Sequence, residues 1–122
     1  MINVRVLLKS FRHSFHGLRI AAEENTFRVL LVVAAAVLAL LLLLPLKSWE
    51  RVSLILATMV VLVLEILNSV FERIADLVEP KVHRYVKDVK DLMAAAVLIA
   101  SLAALVIGVV VMLPHLKLLL EQ

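Results

Sequence analysis

The chain has 122 residues, 64% of them hydrophobic, and 13 basic against 10 acidic side chains give it a net charge of +3. Two glycines and three prolines leave little room for loops, and the absence of cysteine excludes disulfides and thiolate metal sites. Four Phe, one Trp and one Tyr form no stacking platform, so the basic excess, nearly all of it outside the apolar runs, suits anionic lipid headgroups and no nucleic acid partner is expected.

A mean hydropathy of +1.08 separates the chain from an ordinary soluble domain. A single membrane domain over residues 1–122 is expected. The first 25 residues lack a compact apolar segment followed by a small-residue cleavage site, so no removable signal peptide is predicted. Residues 1–24 instead read as an interfacial helix. Val4, Leu7, Leu8, Phe11, Phe15, Leu18 and Ala22 recur at spacings of three and four, with Arg5, Lys9, Arg12, His16 and Arg19 opposite. A basic amphipathic helix beside a membrane span lies in the interface with its apolar face down; a soluble, core-packed helix is the alternative. Glu23, Glu24 and Asn25 interrupt the pattern, and spacing alone makes them a polar turn or a helix cap.

Three predicted transmembrane helices follow, at 29–46, 52–71 and 92–113. The first is free of charge between Arg28 and Lys47, long enough to cross roughly 30 Å of hydrocarbon, and Pro45 marks its end. Lys47 to Arg51 is a short polar connection in which Trp49 fits an interfacial anchor. The second carries Glu65, Asn68 and Ser69 within it and ends at Glu72. A charged segment follows, with Pro80 predicted to break the helix or start the next. In the third, Ala94 to Ala96, Ala100, Ser101, Ala103 and Ala104 give a small-residue face suited to close helix packing, and Pro114 and a short tail follow. Five basic residues precede the first span (Arg5, Lys9, Arg12, Arg19, Arg28) and five lie between the second and third (Arg73, Lys81, Arg84, Lys87, Lys90). Only Lys47, Arg51 and Lys117 fall on the other side, which predicts a cytoplasmic N-terminus and an outward C-terminus.

The second span holds the candidate site. Asn68, Ser69, Glu72 and Asp76 follow Glu65 by three, four, seven and eleven residues, so all share one helical face. An ionised group at membrane depth costs at least about 2.5–3.5 kcal/mol on insertion scales, and such residues mark function. Glu65 lies two turns inside the membrane from Glu72, near the cytoplasmic interface where Glu23, Glu24, Lys90 and Asp91 also arrive. Carboxylates with an Asn and a Lys, and no His or Cys cluster, point to a hard cation such as Mg²⁺. A shielded carboxylate suits a general base, and base, metal and Lys together are the parts of phosphoryl transfer. No Gly-rich phosphate loop or kinase signature accompanies them. Three helices are too few to enclose such a site, so an oligomer is expected.

The run Glu65-Ile66-Leu67-Asn68-Ser69, then Glu72, Asp76 and His83, then Lys90-Asp91 and Ala94-Ala95-Ala96-Val97-Leu98, resembles the small prokaryotic diacylglycerol kinase and undecaprenol kinase family. Phe15, Gly17-Leu18, Glu24-Asn25 and Arg28 fit the same pattern in order and spacing. The resemblance implies a homotrimeric all-α membrane enzyme, each subunit having an amphipathic surface helix and three spans, that moves the γ-phosphoryl of MgATP to a lipid hydroxyl. By position it implies Glu65 as general base, Glu24 and Glu72 as metal carboxylates, Asn68 and Asp76 as polar site residues, and His83, Lys90 and Asp91 as nucleotide contacts. Val70, Phe71, Met93 and His13 depart from the family pattern without removing a matched charged group. The acceptor stays open between diacylglycerol and undecaprenol, with Glu23-Glu24-Asn25 and Val111 to Pro114 leaning toward the latter.

Two other classes are compatible with a membrane glutamate. A small proton-coupled transporter would use Glu65 for exchange and have no need of Lys90 or Asp91. A non-catalytic assembly subunit would use the small-residue face of the third span as its interface. ATP consumption that depends on added lipid separates the kinase from both.

Overall fold

A computed structural model describes residues 1–78 and 83–122, without the side chain of His83. The predicted break at Pro80 and the basic residue Lys81 therefore lie outside the described residues, as does the His83 side chain. Four α-helices follow one another: α1 Val4–Ala21, α2 Asn25–Leu43, α3 Ser48–Val78 and α4 His83–Leu120. No strand occurs among the described residues. α2, α3 and α4 are each long and apolar enough to cross a membrane.

α1 starts where Asn3 caps it, its side chain accepting a hydrogen bond from the Arg5 amide at 3.1 Å. Its apolar residues Leu7, Phe11, Phe15 and Leu18 are exposed along one side, and Lys9, Arg12, His16 and Arg19 gather on another. A helix whose apolar stripe meets no protein is built to meet lipid. α2 ends at Leu43 because Leu44 is forced into extended backbone, φ −98° and ψ 146°, by the proline that follows it.

α3 is longer than the apolar run 52–71. At about 1.5 Å per residue its 31 residues span about 46 Å, more than the hydrocarbon thickness, so both ends reach polar surroundings. Its buried residues include Glu50, Leu54, Val61, Glu65 and Ser69, a single face with a polar group toward each end. α4 returns antiparallel beside it. His115 Nε2 lies 3.3 Å from Glu50 Oε2 at one end of the pair, and Lys90 Nζ lies 2.9 Å from Asp76 Oδ1 at the other. Leu41, Leu46, Leu54 and Val111 form the apolar cluster next to the Glu50 end.

Pro114 does not end the last helix. It lies inside α4, which runs on to Leu120. A proline here removes one backbone donor, but membrane helices tolerate the loss because neighbours and local adjustment re-satisfy the freed carbonyl. The continuation is what carries His115 onto Glu50, a pairing that the spacing of the sequence did not announce.

Candidate active site at the Glu65 end of α3

Glu65 is buried, 4% exposed, on the face of α3 that also buries Ser69. Its charged neighbours are Glu24 and Glu72. Glu72 stands two turns further along α3 and is exposed, and Asn68 between them is half-buried. The Asn68 amide Nδ2 donates to Glu72 Oε1 at 3.4 Å. The helical repeat alone accounts for this part: residues three and four apart share a face.

Glu24 arrives from a different element. It is the residue before α2, in extended conformation, φ −85° and ψ 133°, where a short acceptor would cap the helix. Its side chain makes no cap hydrogen bond. It accepts instead from Ser69 Oγ at 2.5 Å, 45 residues along the chain, and lies 3.8 Å from Arg73 Nη2 through its other oxygen. The turn that delivers it is held by Arg28, whose guanidinium donates to the Glu23 carbonyl at 2.8 Å. Glu24, Glu65 and Glu72 thus come together from two elements, with Asn68 between the last two.

Asp76 and Lys90 form a second polar station one turn beyond Glu72. Asp76 is two-thirds exposed, so the pair contributes little stability, about 0.2–1 kcal/mol at most. It does place an ammonium group on the polar side of the carboxylates. Asp91 follows Lys90 on α4 and is exposed.

Among the described residues no group of three or more His, Cys, Asp or Glu side chains is placed to hold a metal ion. The donor set is oxygen only, two glutamates flanking Glu65 with an amide beside one of them. It fits an ion such as Mg²⁺, which takes one or two carboxylates and fills its shell with water and substrate phosphates. On the other side of Glu65 the surroundings turn apolar. A cleft of about 490 Å³ begins at Leu62, one turn away, and runs between α2, α3 and α4 to Leu116. Glu65 thus stands one turn beyond the near end of an apolar-lined space.

Residues 12–112 match the sequence profile of prokaryotic diacylglycerol kinase. The chain belongs to that family. A diacylglycerol kinase from Synechocystis is 37% identical over 112 residues, which cover 90% of this chain and 64% of the relative. A diacylglycerol kinase from Escherichia coli is 32% identical, covering 89% of this chain and 90% of the relative. An undecaprenol kinase from Bacillus subtilis is 33% identical, covering 88% and 89%. The chain thus spans just under two thirds of the Synechocystis diacylglycerol kinase and about nine tenths of the other two.

The helical period by itself puts Glu65, Asn68, Ser69, Glu72 and Asp76 on one face, whereas Glu24 enters the site only through the family resemblance, its spacing reading otherwise as a polar turn or cap. The Ser69 and Arg73 contacts to Glu24 carry no local signal, because the partners are far apart in sequence.

Proposed function

We propose that this chain is an ATP-dependent lipid kinase that transfers the γ-phosphoryl group of MgATP to the hydroxyl of diacylglycerol or undecaprenol. The family membership and the names of the relatives support the reaction class. The observation that carries the site is the convergence of Glu24 and Glu72 on buried Glu65, at the boundary between polar groups and an apolar cleft.

In this reading the lipid hydroxyl enters from the cleft side and gives its proton to Glu65 as its oxygen bonds to the γ-phosphorus; ADP leaves with the bridging oxygen. Asn68, held by Glu72, orients the reacting groups. Glu24 and Glu72 would hold the metal, and Mg²⁺ bound there would supply charge neutralisation at the phosphates. Lys90 lends positive charge to the same end, Asp76 fixes its position, and Asp91 and His83 contact the nucleotide. The basic arm and the ends of α3 and α4 that carry Arg73 and Lys90 face the cytoplasm, where ATP is found, and the protein resides in the bacterial cytoplasmic membrane. Each site is completed by a neighbouring subunit in a homotrimer, because three helices leave this station open on one side.

Glu65→Gln is expected to reduce transfer by at least about a hundredfold, the usual scale for a general base, while leaving folding and association intact. Phosphorylation from labelled ATP, with diacylglycerol and undecaprenol presented separately to the purified protein, measures this and identifies the acceptor. Near-normal turnover in that variant would refute the mechanism. ATP consumption that is indifferent to both lipids would refute the activity.

A further inference from the structure

Ser69 and Arg73 are four residues apart on α3 and therefore neighbours on its surface. Both turn to the same carboxylate. Ser69 Oγ donates to Glu24 Oε2, and Arg73 Nη2 approaches Glu24 Oε1 at 3.8 Å. We propose that these two residues form a clasp that sets the affinity of Glu24 for a divalent cation, Ser69 as a positioning residue that raises it and Arg73 as a resident counter-charge that lowers it. The proposal rests on the reading of Glu24 as a metal carboxylate.

The two arms differ in chemistry. Ser69 is buried and neutral. Its hydroxyl fixes which way the carboxylate points without occupying the charge, as groups that orient metal ligands do. It also has a second acceptor, the Glu65 carbonyl at 3.1 Å. The carbonyl ties the hydroxyl to its own helix, and the bond to Glu24 Oε2 is kept when a cation binds, because each carboxylate oxygen has a second lone pair to offer the metal. Arg73 is more than half exposed and carries a full positive charge. It competes directly with a cation for Glu24, at a strength limited by solvent screening. Arg28, although one helical turn from Glu24, is committed to the Glu23 carbonyl. Among the described residues, the side chains that contact the Glu24 carboxylate are then the two on α3.

The test is Mn²⁺ binding to the purified full chain in lipid, followed by the electron paramagnetic resonance signal of free Mn²⁺ without nucleotide. Ser69→Ala should weaken binding about tenfold, the low end of the loss when an orienting partner is removed. Ser69→Thr, which keeps the hydroxyl, should stay within about twofold of the parent. Arg73→Gln should tighten binding about threefold, a small effect because the guanidinium is exposed. Opposite signs at two residues on one turn cannot arise from general damage to the fold. Unchanged binding in Ser69→Ala, or weaker binding in Arg73→Gln, would overturn the clasp. Glu24→Ala separates the two levels. If it binds Mn²⁺ as tightly as the parent, the assignment of Glu24 to the metal fails; if it loses binding while Ser69→Ala does not, the clasp alone fails.

Discussion

Glu24 occupies a position where two demands meet. A residue preceding a helix in extended backbone is placed to cap it, and Asp would do so well, whereas the longer Glu side chain passes the helix end and reaches Ser69 on α3. The extra methylene therefore decides between local helix stability and the site. Glu24→Asp is expected to stabilise the start of α2, by about 0.5–2 kcal/mol as caps usually do, and to lower transfer at least about tenfold. Thermal unfolding and lipid phosphorylation measured on the same sample check both halves. Loss of stability with loss of activity would mean that the contact to Ser69 holds the fold and not the site. At this scale the stripe Glu65, Asn68 and Glu72 was legible in the sequence, since the helical period projects it without tertiary information. The contact of Glu24 with Ser69 was not, because nothing local distinguishes a cap from a side chain reaching across 45 residues.

At the scale of elements, hydropathy and helix length proved to be separate quantities. The apolar runs mark where lipid is expected, and the helices continue past them: α3 carries Glu50 before its run and Arg73 and Asp76 after it. Backbone hydrogen bonding sets the helix ends, and a helix crosses from lipid to water with its bonding unbroken. This is why Glu50 reads as part of a loop in sequence and sits on α3 in the fold, where it accepts from the Lys47 amide at 3.0 Å and faces His115. It is also why Pro114, which looks like a stop, is passed over. Packing between α2, α3 and α4 is tight around Leu41, Leu46, Leu54 and Val111. Leu54→Ala would cost about 2–5 kcal/mol in a water-soluble core, but in lipid the transfer part falls away and the lost contacts remain. We expect about 1–2 kcal/mol, read as a lower unfolding midpoint in detergent; no change would mean that this cluster relaxes fully around the gap.

For the whole molecule, the single chain leaves long apolar stretches on every membrane helix uncovered, among them Leu98, Leu102 and Leu105 on α4. Lipid covers such surface as readily as protein does, so exposure alone does not demand association. In the homotrimer proposed above, a neighbouring subunit would cover exposed Glu72 and Asp76 beside half-buried Asn68. A trimer in analytical ultracentrifugation, with activity lost on dissociation to monomers, is the expected outcome. A fully active monomer would place the entire site within one chain.

The polar pairs at the two ends of α3 and α4 have a consequence for the surrounding bilayer. Glu50 and Asp76 are 26 residues apart, about 39 Å along the axis of α3, and each is joined across to α4. Hydrocarbon about 30 Å thick fits between these stations with a few ångströms to spare at either end. A thicker membrane would draw one pair into the acyl region unless the helices tilt, and a thinner one would strip lipid from the apolar faces. The hairpin is thus a ruler with fixed marks, matched to one range of membrane thickness, and Glu65 keeps its depth below the headgroups only within that range.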